Sequence, residues 1–353
     1  MTTRKRLLFS LIAVSVPILM LGSALLATDV YLHKRFTRTG GFNVWGYRGP
    51  TASRKAPGEY RVVMLGGSTV FGYGVAWDEA IPAQLERKVA ERSDRAIKII
   101  NLGYNNEGAY SFSYTLADYK YLQYDLAVLY EGYNDMMGDP NGPNLAVFRH
   151  DSPVFRLTGY LPIFPLVFHE KAAVLTTGSA GSLYLAASWK RTVFQPNLAR
   201  RTTAEILNAA ADVGQSLERQ LGRVTAEAHR QIDGADESGC PYPWAEYCRS
   251  VQRGIEVAVQ MNKQVLVVRQ PRLIGAVGER HDWQQRVLAD MVHKRFGNER
   301  RVALADLASV VALTDPNVSF DRMHLTPAGN QMVAAALVEP VLQMVKTNGA
   351  NGR

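Results

Sequence analysis

Five short runs dominated by apolar residues punctuate the chain: Arg61–Leu65, Ile97–Leu102, Leu126–Tyr130, Gln264–Val268 and Val302–Ala305. None of them alternates with polar residues, which is the pattern of strands buried on both faces. Between and after them, apolar positions recur at helical spacing over Glu79–Arg92, Ser111–Leu122, Ala245–Met261, Trp283–Phe296 and Pro327–Lys346, with Asp78 as a candidate cap for the first. Strand alternating with helix at this interval predicts parallel βαβ units. The expected fold is therefore α/β, a five-stranded parallel sheet with helices on both faces.

The alternation breaks after the third strand. Asp139 to about Tyr184 is rich in proline and glycine, and its apolar run Leu161–Phe168 is interrupted by Pro162 and Pro165. That run is too short and too broken to cross a bilayer. It reads as a lid or cap on the core, with a surface dipping into lipid as the competing reading. Thr203–Ile232 has the pattern of a long amphipathic helix and Gly234–Pro243 that of a loop. Residues 139–235 are thus expected to form an insertion, and they are the candidate surface for a protein partner.

A different pattern opens the chain. Leu7–Ala27 is a stretch of 21 uncharged residues directly after Arg4-Lys5-Arg6. It is long enough for a transmembrane helix and longer than the apolar part of most secretory signals. Gly22-Ser23-Ala24 offers small residues for cleavage, so a removable signal is the rival; an uncleaved single-pass anchor is the reading adopted. This divides the chain into a cytoplasmic tip and anchor (1–28), a connecting segment (29–58) and an extracytoplasmic α/β domain (59–348). His33-Lys34-Arg35 and Arg38 place positive charge beyond the span as well, which weakens any orientation drawn from charge alone.

Charge and cysteine content add two bounds. The 353-residue chain carries a net charge of +8, which suits an anionic membrane surface. The Lys and Arg are scattered, without the clustered basic and aromatic pattern of a nucleic-acid binder, so no nucleic-acid partner is expected. Cys240 and Cys248 bracket seven residues; they are too few ligands for a metal site, and a local disulfide and a pair of unpaired buried thiols both remain open.

Candidate chemistry collects just past the strand ends, where open parallel sheets place their reactive groups. The first strand runs into Gly66-Gly67-Ser68-Thr69, a serine on a tight turn. The sequence has neither the Lys-Ser/Thr ending of a phosphate-binding loop nor G-x-G-x-x-G spacing there, so no nucleotide cofactor is expected. Asn101-Leu102-Gly103 follows the second strand and Glu131-Gly132-Tyr133-Asn134-Asp135 the third. A strand-end glycine N–H and an asparagine amide are suitable donors for a developing oxyanion. Asp321-Arg322-Met323-His324 supplies a carboxylate and an imidazole in a loop, where the histidine can reach a serine and the carboxylate can fix its tautomer. Asp290 and His293 repeat the spacing inside a helical pattern, where such pairs are ordinary surface partners.

These four segments, in this order, resemble the four sequence blocks of the SGNH (GDSL-type) hydrolase family. The resemblance spans roughly Tyr60 to Val345, omitting the insertion. It implies a flavodoxin-like sheet and a serine hydrolase needing no cofactor. Ser68 would be the nucleophile, His324 the base and Asp321 its orienter, and Ser68 N–H, Gly103 N–H and the Asn134 amide would form the oxyanion hole. The expected substrate is an O-acyl group of a surface glycan or lipid, removed or transferred; a non-catalytic tethered scaffold is the alternative. One departure stands out: Gly67 occupies the place of the family's aspartate, which leaves the turn with fewer side-chain hydrogen bonds.

Overall fold

The five apolar runs become β1 (Tyr60–Gly66), β2 (Ile97–Asn101), β3 (Leu126–Tyr130), β4 (Gln264–Arg269) and β5 (Val302–Asp306). They pair in parallel in the order β2-β1-β3-β4-β5. The computed structural model describes residues 3–38, 40–136, 148–178, 197–224 and 238–350. In chain order its helices are α1 (Thr3–Phe36), α2 (Ser68–Phe71), α3 (Ile81–Ala90), α4 (Phe112–Asp118) and α5 (Pro153–Thr158). They continue as α6 (Phe164–Thr177), α7 (Leu198–Val224), α8 (Ala245–Gln260), α9 (Gly275–Phe296) and α10 (Pro327–Ala350). Two compact units result: residues 36–151 with 229–353, and residues 1–35 with 152–228.

The larger unit holds the sheet. Tyr60, Val62 and Met64 of β1, with Leu126, Val128 and Leu266, share one core with Ile81, Leu85 and Val89 of α3 and Val333, Leu337 and Val341 of α10. Val63, Leu65, Ala127, Leu129, Val265 and Val267 alternate with them and are equally buried, so they line the opposite face, where α4 packs on α8 and α8 on α9. Burying both faces explains why these strands lack alternation. Each fully enclosed side chain such as Leu85 or Leu337 contributes about 1.5–3 kcal/mol by leaving water. The register sets Met64 level with Asn101 and Gly66 level with Tyr130, so three chain segments leave the sheet side by side.

Local details differ from the pattern reading. Asp78 caps no helix: it lies in a 3-10 turn (Trp77–Glu79), and Ala80 occupies the cap position of α3. The stretch read as a connector is partly core. Phe42, Tyr47 and Arg48 are buried in the larger unit, because aromatic side chains sit among its glycines and have apolar surface to bury. Cys240 and Cys248 form a disulfide.

The smaller unit contains α1 up to Arg35 and the described parts of the insertion from Ser152 to Val224. Of the expected long helix, α7 ends at Val224; residues 139–147, 179–196 and 225–235 of the insertion lie outside the described residues. Within α1, Leu11–Phe36 is apolar enough to cross a membrane, with mean hydropathy 2.2, and Phe9, Leu11, Val14, Ile18 and Leu19 are exposed along it. Near its end, buried Asp29 accepts the backbone N–H of Ile163 (2.8 Å) and Phe164 (2.6 Å), the first turn of α6, and the Tyr160 hydroxyl (2.5 Å). His33 Nε2 lies 2.9 Å from the Leu161 carbonyl. A carboxylate at a helix N-terminus satisfies donors that the helix itself cannot.

The disulfide closes a loop across a sequence separation of 8, which by loop-closure entropy stabilises the unit by roughly 2–3 kcal/mol. Titration of unreduced, denatured protein is expected to find no free thiol, and Cys240→Ser with Cys248→Ser is expected to lower unfolding free energy by that amount.

Candidate active site

Three strand ends and one distant loop build the site. β1 ends in Gly66, and α2 starts at Ser68 directly beyond Gly67. Ser68 is buried except for its access to the site (8% exposed). Its Oγ lies 2.8 Å from His324 Nε2, and His324 Nδ1 lies 2.5 Å from Asp321 Oδ2. The three residues singled out in the sequence therefore form one connected chain. The other oxygen, Asp321 Oδ1, accepts the backbone N–H of His324 (2.6 Å) and Met323 (3.0 Å). This turn needs Arg322 at φ +69°, a conformation unfavourable for a side-chain-bearing residue and typical of functional loops. Burial raises the Asp321 carboxyl, but the hydrogen bonds from His324 and Met323 outweigh it and hold the group below the usual range. It therefore stays ionised opposite the imidazole.

The His324 ring is flanked by Tyr73 (4.8 Å between centroids) and Phe320 (5.9 Å, stacked). Both rings are about half exposed. Phe320 lies against Gly74, where a Cβ would come within 2.6 Å of its ring. Aromatic walls thus hold the imidazole and line its approach.

The expected oxyanion donors fare differently. Asn134 lies beside the nucleophile turn: a Cβ on Gly67 would come within 2.1 Å of Asn134 Nδ2, which donates to the Glu107 carbonyl at 3.0 Å. Gly103 keeps its N–H within the turn. Its N–H donates to Asn101 Oδ1 (2.9 Å), because the strand-end asparagine folds back over the turn. Asn101 Nδ2 in turn reaches the Val70 carbonyl of α2. The glycine is required for packing, since a Cβ there would lie 2.4 Å from the Phe71 nitrogen. The remaining donor of the expected hole is the Ser68 N–H, at the first position of α2, where helix N–H groups lack intrahelical partners.

Several supporting residues carried no local signal in the sequence. Arg48 donates to the carbonyls of Phe71, Gly72 (2.5 Å) and Val75 (2.5 Å), closing the end of α2. Burial pushes its pKa down to about 10, so it is charged at neutral pH. Arg149 and Glu107 form a buried ion pair (2.7 Å). Arg149 also donates to the carbonyls of Leu102 (2.5 Å) and Gly46 (3.0 Å), bracing the loop after β2. At the end of β3, burial pushes the carboxyls of Glu131 and Asp135 upward. Asp135 accepts the Ala109 N–H. Only proximity in three dimensions could have pointed to these residues, as their partners are far away in sequence.

Three other described histidines of the larger unit stand apart from this chemistry. His293 lies on the exposed side of α9. His150 pairs with Asp118 (2.7 Å) beside Tyr114 and Phe148. His281 is fully buried against Tyr133, and burial pushes its pKa down to about 4.

No family model matches the sequence, and no curated protein matches it. Solved structures do resemble the chain. A family 3 carbohydrate esterase from Clostridium thermocellum is 11% identical over 82% of this chain and 98% of its own, with a TM-score of 0.44. A member of the lipolytic G-D-S-L family from Veillonella parvula is 10% identical over 79% and 97%, with a TM-score of 0.41. A carbohydrate acetylesterase from Sinorhizobium meliloti is 12% identical over 81% and 99%, with a TM-score of 0.39. At such values the functional reading rests on the site geometry.

Arg48→Met removes a charged donor from three carbonyls at the end of the serine-bearing helix. Denaturant unfolding is expected to show a loss of about 3 kcal/mol, in the range for hydrogen bonds to charged groups. An unchanged midpoint would show that Arg48 does not hold α2.

Proposed function

We propose that this chain is a membrane-anchored serine esterase of the SGNH type, removing or transferring a small acyl group such as acetyl from a surface glycan or lipid outside the cytoplasm. The observation that carries the reading is the Ser68–His324–Asp321 chain, at 2.8 and 2.5 Å. Both distances are within hydrogen-bond reach, the first requirement for proton transfer from a nucleophile. Nothing else in the fold requires a serine, an imidazole and a carboxylate to meet at the sheet's carboxyl edge.

In this reading His324 Nε2 takes the proton as Ser68 Oγ bonds to the acyl carbon. Asp321 keeps Nδ1 protonated and stabilises the imidazolium. The carbonyl oxygen becomes an oxyanion facing Ser68 N–H and the Asn134 amide, whose place is fixed by its bond to Glu107. Gly103 joins them only if Asn101 releases its N–H. Collapse breaks the bond to the alcohol oxygen, which leaves with the proton from His324. Water, or an acceptor hydroxyl, then attacks the acyl-enzyme with His324 again as base, giving hydrolysis or transfer. Tyr73 and Phe320 supply an apolar wall for the alcohol side of the ester. The apolar helix α1, preceded by Arg4-Lys5-Arg6, and the Cys240–Cys248 disulfide support the membrane-bound, extracytoplasmic placement.

A fluorophosphonate probe is expected to label folded protein at Ser68, with a nitrophenyl acetate assay alongside in case the bulkier probe is excluded. Ser68→Ala should abolish both signals and His324→Ala should reduce them steeply, because an unassisted serine is a poor nucleophile. Wild type that neither labels nor hydrolyses above the Ser68→Ala background would favour the scaffold alternative. Asn134→Ala is expected to lower kcat by about 10²–10³ with little change in stability, and an unchanged kcat would remove Asn134 from the mechanism.

A further inference from the structure

Gly67 brings no carboxylate to the nucleophile turn, and the space where its side chain would start is already occupied. A Cβ there would lie 2.7 Å from Glu131 Oε2 as well as 2.1 Å from Asn134 Nδ2. Glu131 is 3% exposed, at the carboxyl end of β3 beside the serine turn. Its Oε1 accepts the N–H of Gly132 (2.9 Å) and of Asn134 (3.2 Å). The Gly67 N–H also faces this carboxyl and helps to stabilise its charge, although Oε2 has no well-formed hydrogen bond. Tyr247 donates to the Glu131 carbonyl at 2.7 Å, fixing the residue's backbone from α8. A buried carboxyl with one unsatisfied oxygen is costly and calls for an explanation. The proton transfers among Ser68, His324 and Asp321 make no use of it.

We infer that Glu131 is the positioning residue of the nucleophile turn, supplying from the end of β3 the holding carboxyl that an aspartate at position 67 would otherwise provide. Through Oε1 it fixes the backbone of Asn134, and through Oε2 it packs directly on Gly67, so one side chain sets the spacing between the nucleophile and its amide donor. The inference rests on the reading of Ser68 as nucleophile and Asn134 as oxyanion donor. It accounts for three observations together: the absence of a side chain at 67, the burial of a carboxyl beside it, and the unpaired oxygen directed at the gap. Glu131 need not touch substrate; it acts through the turn and through Asn134.

The test compares Glu131→Ala, Glu131→Gln and Gly67→Asp in the full chain. Nitrophenyl acetate kinetics, fluorophosphonate labelling and thermal melting are the readouts. Glu131→Ala is expected to lower kcat about 30- to 100-fold with KM changed less than about twofold, since an oxyanion donor is misplaced rather than substrate lost. Glu131→Gln keeps the shape and the acceptor oxygen and is expected to retain at least about a tenth of wild-type kcat. Gly67→Asp alone is expected to be nearly inactive, because its side chain meets Glu131 and Asn134. A carboxyl with a merely structural role would lower the melting temperature and leave the kcat of the folded protein unchanged. Folded Glu131→Ala with wild-type kcat overturns the inference, as does Glu131→Gln no faster than Glu131→Ala. Should Glu131→Ala fail to fold, Glu131→Gln decides, and a fall to the Ser68→Ala background would make the carboxyl part of the chemistry instead. Wild type inert to both substrate and probe would instead defeat the esterase reading itself.

Discussion

The site depends on how closely three chain segments approach one another as they leave the sheet. Beyond Asn101 the pairing with β1 continues only through the Leu102 N–H to Met64 and the Tyr104 N–H to Gly66 (both 2.9 Å), and the segments stay in close contact. A single added methyl group at position 67 would collide with Asn134 and Glu131, and one at position 103 would collide with the start of the next turn at Phe71. Close packing of this kind leaves no slack. It is what allows a serine from β1 and an amide from the end of β3 to be neighbours without either being carried on a long, mobile side chain.

That closeness is maintained by charge buried where it cannot be solvated. Arg48 gathers the carbonyls that end the short helix after Ser68, and Arg149, paired with Glu107, gathers those of the loop after β2. An ion buried without partners would be strongly destabilising, whereas one that satisfies several carbonyls ties down backbone that has no ladder of its own. The loops around the serine are irregular because they must converge, and these side chains stand in for the missing regular hydrogen bonds.

β1, β3 and β4 were legible because strands buried on both faces read as unbroken apolar runs; β5 keeps an apolar run although Leu304 is exposed at the sheet edge, and all five lie within a residue or two of their expected positions. Ser68, Asp321 and His324 were legible for a related reason: each sits in a short segment whose spacing is set by local turn chemistry. What was hidden depended on contacts between distant segments. Glu131 looks like a strand-end residue until the space above Gly67 is seen, and Arg48 looks like part of a linker. That the Gly103 N–H is held by the Asn101 side chain was equally hidden. α9 starts at Gly275, before the expected Trp283, and a Cβ at Gly278 in its first turns would lie 2.2 Å from the Leu273 carbonyl oxygen.

The bonds made by Asp29 change what the N-terminal segment is. The last two turns of α1 belong to the fold of the smaller unit, since Asp29 caps α6 and His33 meets the Leu161 carbonyl. A soluble version of the protein trimmed at Phe36, where the larger unit begins, would strand two buried amides at the head of α6. One that begins just before Asp29 would shed the greasy part of the helix and keep the insertion's own capping group. The boundary that matters for removing the apolar part of α1 therefore falls inside a continuous helix.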